Sequence, residues 1–263
     1  MRVVIVRNYD DVSRKAASII AGEITSKPNA VLGLATGSTP LGTYKELVRM
    51  HRKEGLDFSR VRTFNLDEYY GLAPDHSQSY HRFMEENLFG RVNIKKANVH
   101  IPDGLTKDVT AFCRQYEEMI RQSGGIDIQL LGIGRDGHLG FNEPGSSLGS
   151  RTRLKTLTEE TVKDNARFFS KASEVPRLAI TMGVGTILDA RKLLLIASGG
   201  VKAEAVKASI EGPVTSQVTA SALQLHPHVI CVVDEPASRL LLKKDYYKYV
   251  EKIAETVEAE ARI

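Results

Sequence analysis

The chain predicts an α/β fold: a doubly wound, mostly parallel, Rossmann-like sheet with helices on both faces, formed as a single domain over residues 1–263. Three observations carry this. Short β-branched runs alternate with amphipathic stretches through most of the sequence. Several of those runs are near-continuously apolar rather than alternating, as strands covered on both faces are. No internal repeat, low-complexity tract or Pro/Gly/Ser linker divides the pattern.

A strand at 3–6 opens the chain and a helix at 10–25 follows. The strand at 31–35 runs into Thr36-Gly-Ser-Thr-Pro40. There Thr39 can serve as N-cap and Pro40 suits the first position of a helix at 40–53. A strand at 61–66 leads into Asn65-Leu-Asp-Glu-Tyr69, then a helix at 79–89, a strand at 99–102 and a helix at 107–122. The apolar run 126–131 reads as a buried strand that ends in a glycine-rich turn. Strands at 178–182, 193–197 and 229–233, a helix at 201–210 and a long helix at about 237–259 complete the pattern. Ligands on such sheets bind beyond the carboxyl ends of the strands. The segments 36–39, 65–69, 132–143 and 198–202, which carry most of the chemistry, all fall there.

Composition narrows the function classes. Hydrophobic residues make up 42% and charged residues 26% of the 263 residues, ordinary values for a protein with a sizeable core. The net charge is only +4 and no run of five basic residues occurs, so neither a nucleic-acid stripe nor a membrane-surface patch is expected. A small anionic substrate fits the mild excess. Cys113 and Cys231 sit in apolar segments without CxxC spacing and read as reduced core residues. The first apolar run turns polar at Arg7, too early for a signal peptide, and no run reaches membrane-span length. A cytoplasmic protein is expected.

The densest chemistry lies in Gly132-Ile-Gly-Arg-Asp-Gly-His-Leu-Gly-Phe-Asn-Glu143, which places Asp136, His138 and Glu143 on one loop. Its glycines permit positive φ and close approach of a ligand, and its three titratable groups suit acid–base work. Gly132–Gly137 also matches G-x-G-x-x-G, but a dinucleotide fingerprint needs a helix to open at its last glycine. Gly140, Pro144 and Gly145 oppose one.

The Thr36–Thr39 turn offers backbone N–H groups, hydroxyls and a positive helix end to an anion, beyond what capping alone requires. Lys202 falls in the first turn of the helix at 201–210, where a cation opposes the dipole unless an anion binds there. Asp67 and Glu68 end a buried strand, and adjacent residues face opposite ways, so one of the two addresses the site. Burial among Tyr69 and Tyr70 would raise the pKa of Asp67 toward the range of a useful base. His226-Pro-His228 with Asp234 has metal-ligand donor types, yet Pro227 and the strand that follows favour a structural role, and no three-ligand spacing occurs elsewhere. Ser146 and Ser147 lack a nucleophile-elbow setting. Tyr246, Tyr247 and Tyr249 read as packing residues.

Taken together, the chain resembles the glucosamine-6-phosphate deaminase family. The likeness runs nearly end to end, through Leu32-Gly-Leu-Ala-Thr-Gly-Ser-Thr-Pro40, Thr63-Phe-Asn-Leu-Asp-Glu-Tyr69, Gly132-Ile-Gly-Arg-Asp-Gly-His138, Phe141-Asn-Glu-Pro144, Ser150-Arg-Thr-Arg-Leu-Lys-Thr-Leu157, Asn165-Ala-Arg-Phe-Phe169 and Leu223-Gln-Leu-His226. The resemblance implies conversion of glucosamine 6-phosphate and water to fructose 6-phosphate and ammonia, with no metal or organic cofactor. It implies that Asp67 moves a proton between C2 and C1 and that His138 opens the sugar ring, oriented by Asp136 and Glu143. It assigns the phosphate to Gly37, Ser38, Thr39, Arg167 and Lys202.

The fold relative 6-phosphogluconolactonase shares an Asp-Gly-His loop, but that loop continues there into small apolar residues, whereas here it continues into Phe141-Asn-Glu143. A sugar-phosphate sensor without turnover would be expected to lack one of the four acid–base residues. The resemblance also implies a homo-oligomer, up to a hexamer, and an activator site for N-acetylglucosamine 6-phosphate at Ser146, Arg153, Lys155 and Thr156. One departure bears on the activator: Lys248 stands where activated relatives have an aromatic residue, flanked by Tyr247 and Tyr249.

Overall fold

The structure, a computed structural model, describes residues 1–260. Among these, ten strands follow one another: β1 (Arg2–Val6), β2 (Val31–Leu34), β3 (Arg62–Asn65), β4 (Asp67–Tyr69), β5 (Val99–His100), β6 (Ile128–Leu131), β7 (Arg153–Thr156), β8 (Leu178–Thr181), β9 (Leu193–Ala197) and β10 (Val229–Asp234). Seven of them form an all-parallel sheet in the order β1-β10-β9-β6-β2-β3-β5. The order changes direction between β6 and β2, so the loops after those strands diverge and leave a crevice at their carboxyl ends.

Eight α-helices are described: α1 (Tyr9–Ser26), α2 (Leu41–Glu54), α3 (Tyr80–Asn87), α4 (Val109–Gln122), α5 (Glu159–Asn165), α6 (Val184–Leu188), α7 (Ala203–Ile210) and α8 (Lys244–Glu260). Local chemistry starts and stops them. The Asn8, Ser79, Asp108 and Thr158 side chains each accept an N–H in the first turn of α1, α3, α4 and α5. Gly55 closes α2 in the left-handed region at φ 75°. Alternate residues of the sheet bury into two cores. Leu32, Leu34, Ile128, Leu130, Leu194 and Ile196 meet Ala17 and Ile20 of α1 and Tyr44 and Leu47 of α2. Val31, Phe64, Leu131, Leu193 and Leu195 meet Tyr116 and Ile120 of α4 and Val206 of α7. Cys113 and Cys231 are buried and unpaired, and no described helix is long and apolar enough to cross a membrane.

The departures from expectation have physical reasons. Residues 178–182 do not extend the parallel sheet: β8 is the centre of a small antiparallel sheet, β4-β8-β7. An unbroken apolar run does not distinguish a central antiparallel strand from a parallel one, because both are buried on both faces. Neither β4 nor β7 was expected, since Asp-Glu-Tyr and Arg-Leu-Lys-Thr are poor β sequences that pairing with β8 alone holds extended. The short helices α5 and α6 were also missed. The final helix begins at Lys244, not near residue 237. Asp234 accepts the Ala237 N–H at 2.8 Å and folds the intervening segment into turns, and the Glu211 carboxylate then takes the N–H groups of Leu242 and Lys243 at 2.8 and 2.9 Å.

Candidate active site

The loops after β2, β3 and β6 surround a cavity of about 190 Å3. Thr36, Gly37, Ser38 and Thr39 form one wall. Pro40, rather than Thr39, occupies the N-cap position of α2, and no side chain caps that end. The helix thus starts one residue later than expected, and Thr39 turns to the cavity instead.

Lys202 lines the same cavity from the N-terminus of α7, half-buried, with Nζ donating to the Ile133 carbonyl at 2.7 Å. Burial is the main cause that lowers its pKa, and Asp164 partly offsets it. The loop that delivers Lys202 is tied by Asp234, which accepts from the Ser198 hydroxyl at 2.5 Å and from the Gly199 N–H at 3.0 Å. Asp234 therefore shapes the site without touching the cavity. It does so apart from His226, whose Nε2 lies 2.8 Å from the Ala190 carbonyl. Arg167 completes the cationic wall from the turn after α5, its guanidinium 4.7 Å over the Phe168 ring.

Asp67 reaches the same cavity from β4, held in register opposite Thr181. Its residue exposure is 5%, and no described hydrogen bond reaches its carboxylate. Burial, reinforced by the neighbouring Glu68 charge, pushes its pKa up to about 8, while His138 pulls the other way. Gly140 is needed beside it: at φ 54°, a Cβ there would lie 3.2 Å from Asp67 Oδ2 and 3.1 Å from Thr181 Oγ1.

Glu68 faces the opposite way, as alternation predicts. Fully buried, it accepts the Tyr80 and His81 N–H groups at 2.8 and 3.1 Å and meets His81 Nδ1 at 3.0 Å, which locks α3 to β4. That lock brings Tyr80 to the cavity wall, stacked on Phe141 with ring centroids 6.2 Å apart. Tyr80 had no sequence signal, because it stands at the start of a helix remote from every motif.

His138 lies 2.7 Å from Asp136 Oδ1 and 3.6 Å from Glu143 Oε2 through the same Nδ1. The closer contact is off the line of a ring N–H, so charge more than a linear hydrogen bond holds it. Burial on its own would depress the imidazole, but Asp136 and Glu143 together outweigh it and leave the pKa raised. Gly134 makes room for the pair, since a Cβ there would meet the His138 ring and Asp136 at 2.5 and 2.7 Å. Glu143 in turn is held by Thr158, whose N–H and hydroxyl donate to it at 3.3 Å. Asp136, His138 and Glu143 have ligand atoms within 4.8 Å of one another, a grouping of metal-ligand type. Two carboxylates beside a single imidazole nitrogen stabilise its cationic form, the state a proton relay passes through. The loop runs on through a tight Leu139–Asn142 bridge and not a helix, which removes the dinucleotide reading.

The four residues matched to an activator site do not line this cavity. Arg153 Nη1 donates to Asn142 Oδ1 at 2.9 Å and so supports the His138 loop from behind. It also lines a separate open groove of about 1010 Å3 beside α4. Ser146 is buried with its hydroxyl unpartnered, while Lys155 and Thr156 pair along β7 with Ala179 and Leu178.

Comparison with known proteins bears on the family and the fold. Residues 7–231 match the family described as glucosamine-6-phosphate isomerases/6-phosphogluconolactonase. A glucosamine-6-phosphate deaminase of Thermoanaerobacter pseudethanolicus is 55% identical over 93% of this chain and 97% of its own length. One of Halothermothrix orenii is 54% identical over 92% of this chain and all of its own. A solved structure of a monomeric glucosamine-6-phosphate deaminase superposes with a TM-score of 0.90 at 48% identity, over 91% of this chain and all of that one. A 6-phosphogluconolactonase from Trypanosoma cruzi shares the fold at a TM-score of 0.72 with 20% identity. The acid–base loop, the buried carboxylate and the anion turn stand on an α/β scaffold held in common with these proteins, and the chain belongs to the glucosamine-6-phosphate deaminase family.

Proposed function

We propose that the chain converts glucosamine 6-phosphate and water to fructose 6-phosphate and ammonia in this cavity. One juxtaposition carries the reading: an unpartnered, buried carboxylate and a carboxylate-tuned imidazole open onto a space whose far wall is an anion turn with Lys202 and Arg167. The phosphoryl group is anchored by Gly37, Ser38, Thr39, Arg167 and Lys202, with Arg167 suited to bidentate contact. The anchor leaves the first two sugar carbons toward Asp67 and His138.

His138 takes the anomeric hydroxyl proton and returns a proton to the ring oxygen, which opens the pyranose to the aldehyde. Asp136 and Glu143 hold the imidazole in place and stabilise its cationic form. Asp67 then removes the C2 proton as the aldehyde oxygen takes up a proton, giving an enolamine, and returns its proton to C1 as the nitrogen gives one up. The C2 amine becomes an imine, which water hydrolyses to the ketone as ammonia departs. A base near pKa 8 suits abstraction from carbon, because it holds the proton between the two steps. Lactone hydrolysis would leave Asp67 without a task. The direct test is incubation with glucosamine 6-phosphate and measurement of both products. Equal release of ammonia and fructose 6-phosphate is expected, and release of neither would overturn the assignment.

For regulation, the support is the match of Ser146, Arg153, Lys155 and Thr156 to an activator pattern for N-acetylglucosamine 6-phosphate. Their separate surroundings and Lys248 stand against it.

A further inference from the structure

Two charged groups in the cavity have no part in the chemistry above. Arg135 sits between Gly134 and Asp136 on the His138 loop, and Asp164 sits near the end of α5, three residues before Arg167. Both line the cavity, and they pair across it, Arg135 Nη1 to Asp164 Oδ1, at 3.5 Å. Their side chains are 54% and 44% exposed, so the pair is long, hydrated and weak. Lys202 senses both: Asp164 strengthens its hold on a proton and Arg135 loosens it. Among the acids that line the cavity, Asp164 is the one ion-paired to its cationic residues Lys202, Arg167 and Arg135, through Arg135.

We propose that Arg135 is a further phosphate-binding residue and that Asp164 is its displaceable counter-ion. This rests on the reading of the cavity as a phosphate site. A phosphoryl dianion offers Arg135 two parallel charge-assisted hydrogen bonds, which a carboxylate 3.5 Å away does not match. Arg135 then turns from Asp164 to the phosphate, and Asp164 returns to water. Because Asp164 and Arg167 share one short segment of chain, the exchange also frees that segment to bring Arg167 inward. Asp164 therefore acts as a discriminator. Its charge opposes weak anions and yields to a dianion that can engage all three cations.

Calorimetric titration with inorganic phosphate at fixed salt tests this without requiring turnover. Arg135→Gln is expected to weaken binding by about 10-fold or more. Asp164→Asn is expected to tighten it by about 2–5-fold. The two must couple: in the Arg135→Gln background, Asp164→Asn is expected to tighten binding clearly less than it does in the wild type. An Arg135→Gln variant that binds phosphate like the wild type overturns the proposal. So does an Asp164→Asn effect that is equal in both backgrounds, which would reflect only long-range charge, or one that weakens binding, which would make the pair a brace. If the wild type bound no phosphate at all, the reading of the whole cavity would fall, and not only the role of this pair.

Discussion

Asp67 is held in a state that its own chemistry resists. Water-exposed aspartate ionises near pH 4, yet here the carboxylate is stripped of hydrogen-bond partners and pushed up to about 8 by burial and by Glu68. The folded state therefore binds this proton more tightly than the unfolded chain. Stability carried by the group is fully present below about pH 4 and is lost as pH rises toward 8. Asp67→Asn removes the ionisation. It should melt a few degrees above the wild type near pH 8, with the gap closing as pH falls to about 4. A variant that melts lower than the wild type across that range would show that Asp67 is a structural acid. Sequence alone pointed to this residue because strand alternation leaves one of two adjacent acids facing the site. It did not reveal the function of the other, because the donors to Glu68 come from residues 80 and 81, on another element.

Among elements, the contiguous loops were readable and the supports between them were not. Thr36–Thr39 and Gly132–Glu143 announce themselves through glycine, hydroxyl and acid–base residues packed into single turns. Two supports, β4 and β7, have sequences that hold a strand only through their neighbour β8, so nothing local betrays them. Asp234, read from the sequence as structural, hid only its partners: it ends β10, yet it fixes the loop before Lys202 through the Ser198 hydroxyl and the Gly199 N–H. Asp234→Ala is expected to loosen that loop and raise KM for the phosphorylated sugar about 10-fold, with a smaller change in kcat. A fall in kcat with KM unchanged would place Asp234 in the chemistry instead of in phosphate positioning.

For the molecule as a whole, the parallel sheet was legible in its apolar runs, and the direction of its crevice followed from the rule that ligands gather at strand carboxyl ends. The small antiparallel sheet was not legible, yet it is what positions Asp67. Here the two sheets divide the labour. The large one aligns the anion turn, the His138 loop and the Lys202 loop, while β4 carries the carboxylate across from β8. The cavity thus works only if a phosphate anchored on one sheet presents a sugar carbon to a base carried by the other.

The measurement that reaches this claim most directly compares Asp67→Asn with the wild type, using glucosamine 6-phosphate. Ammonia release should fall by about 1,000-fold or more while substrate affinity stays within a few-fold of the wild type. Ammonia release within about 10-fold of the wild type would contradict the account, as would a loss of binding as large as the loss of rate.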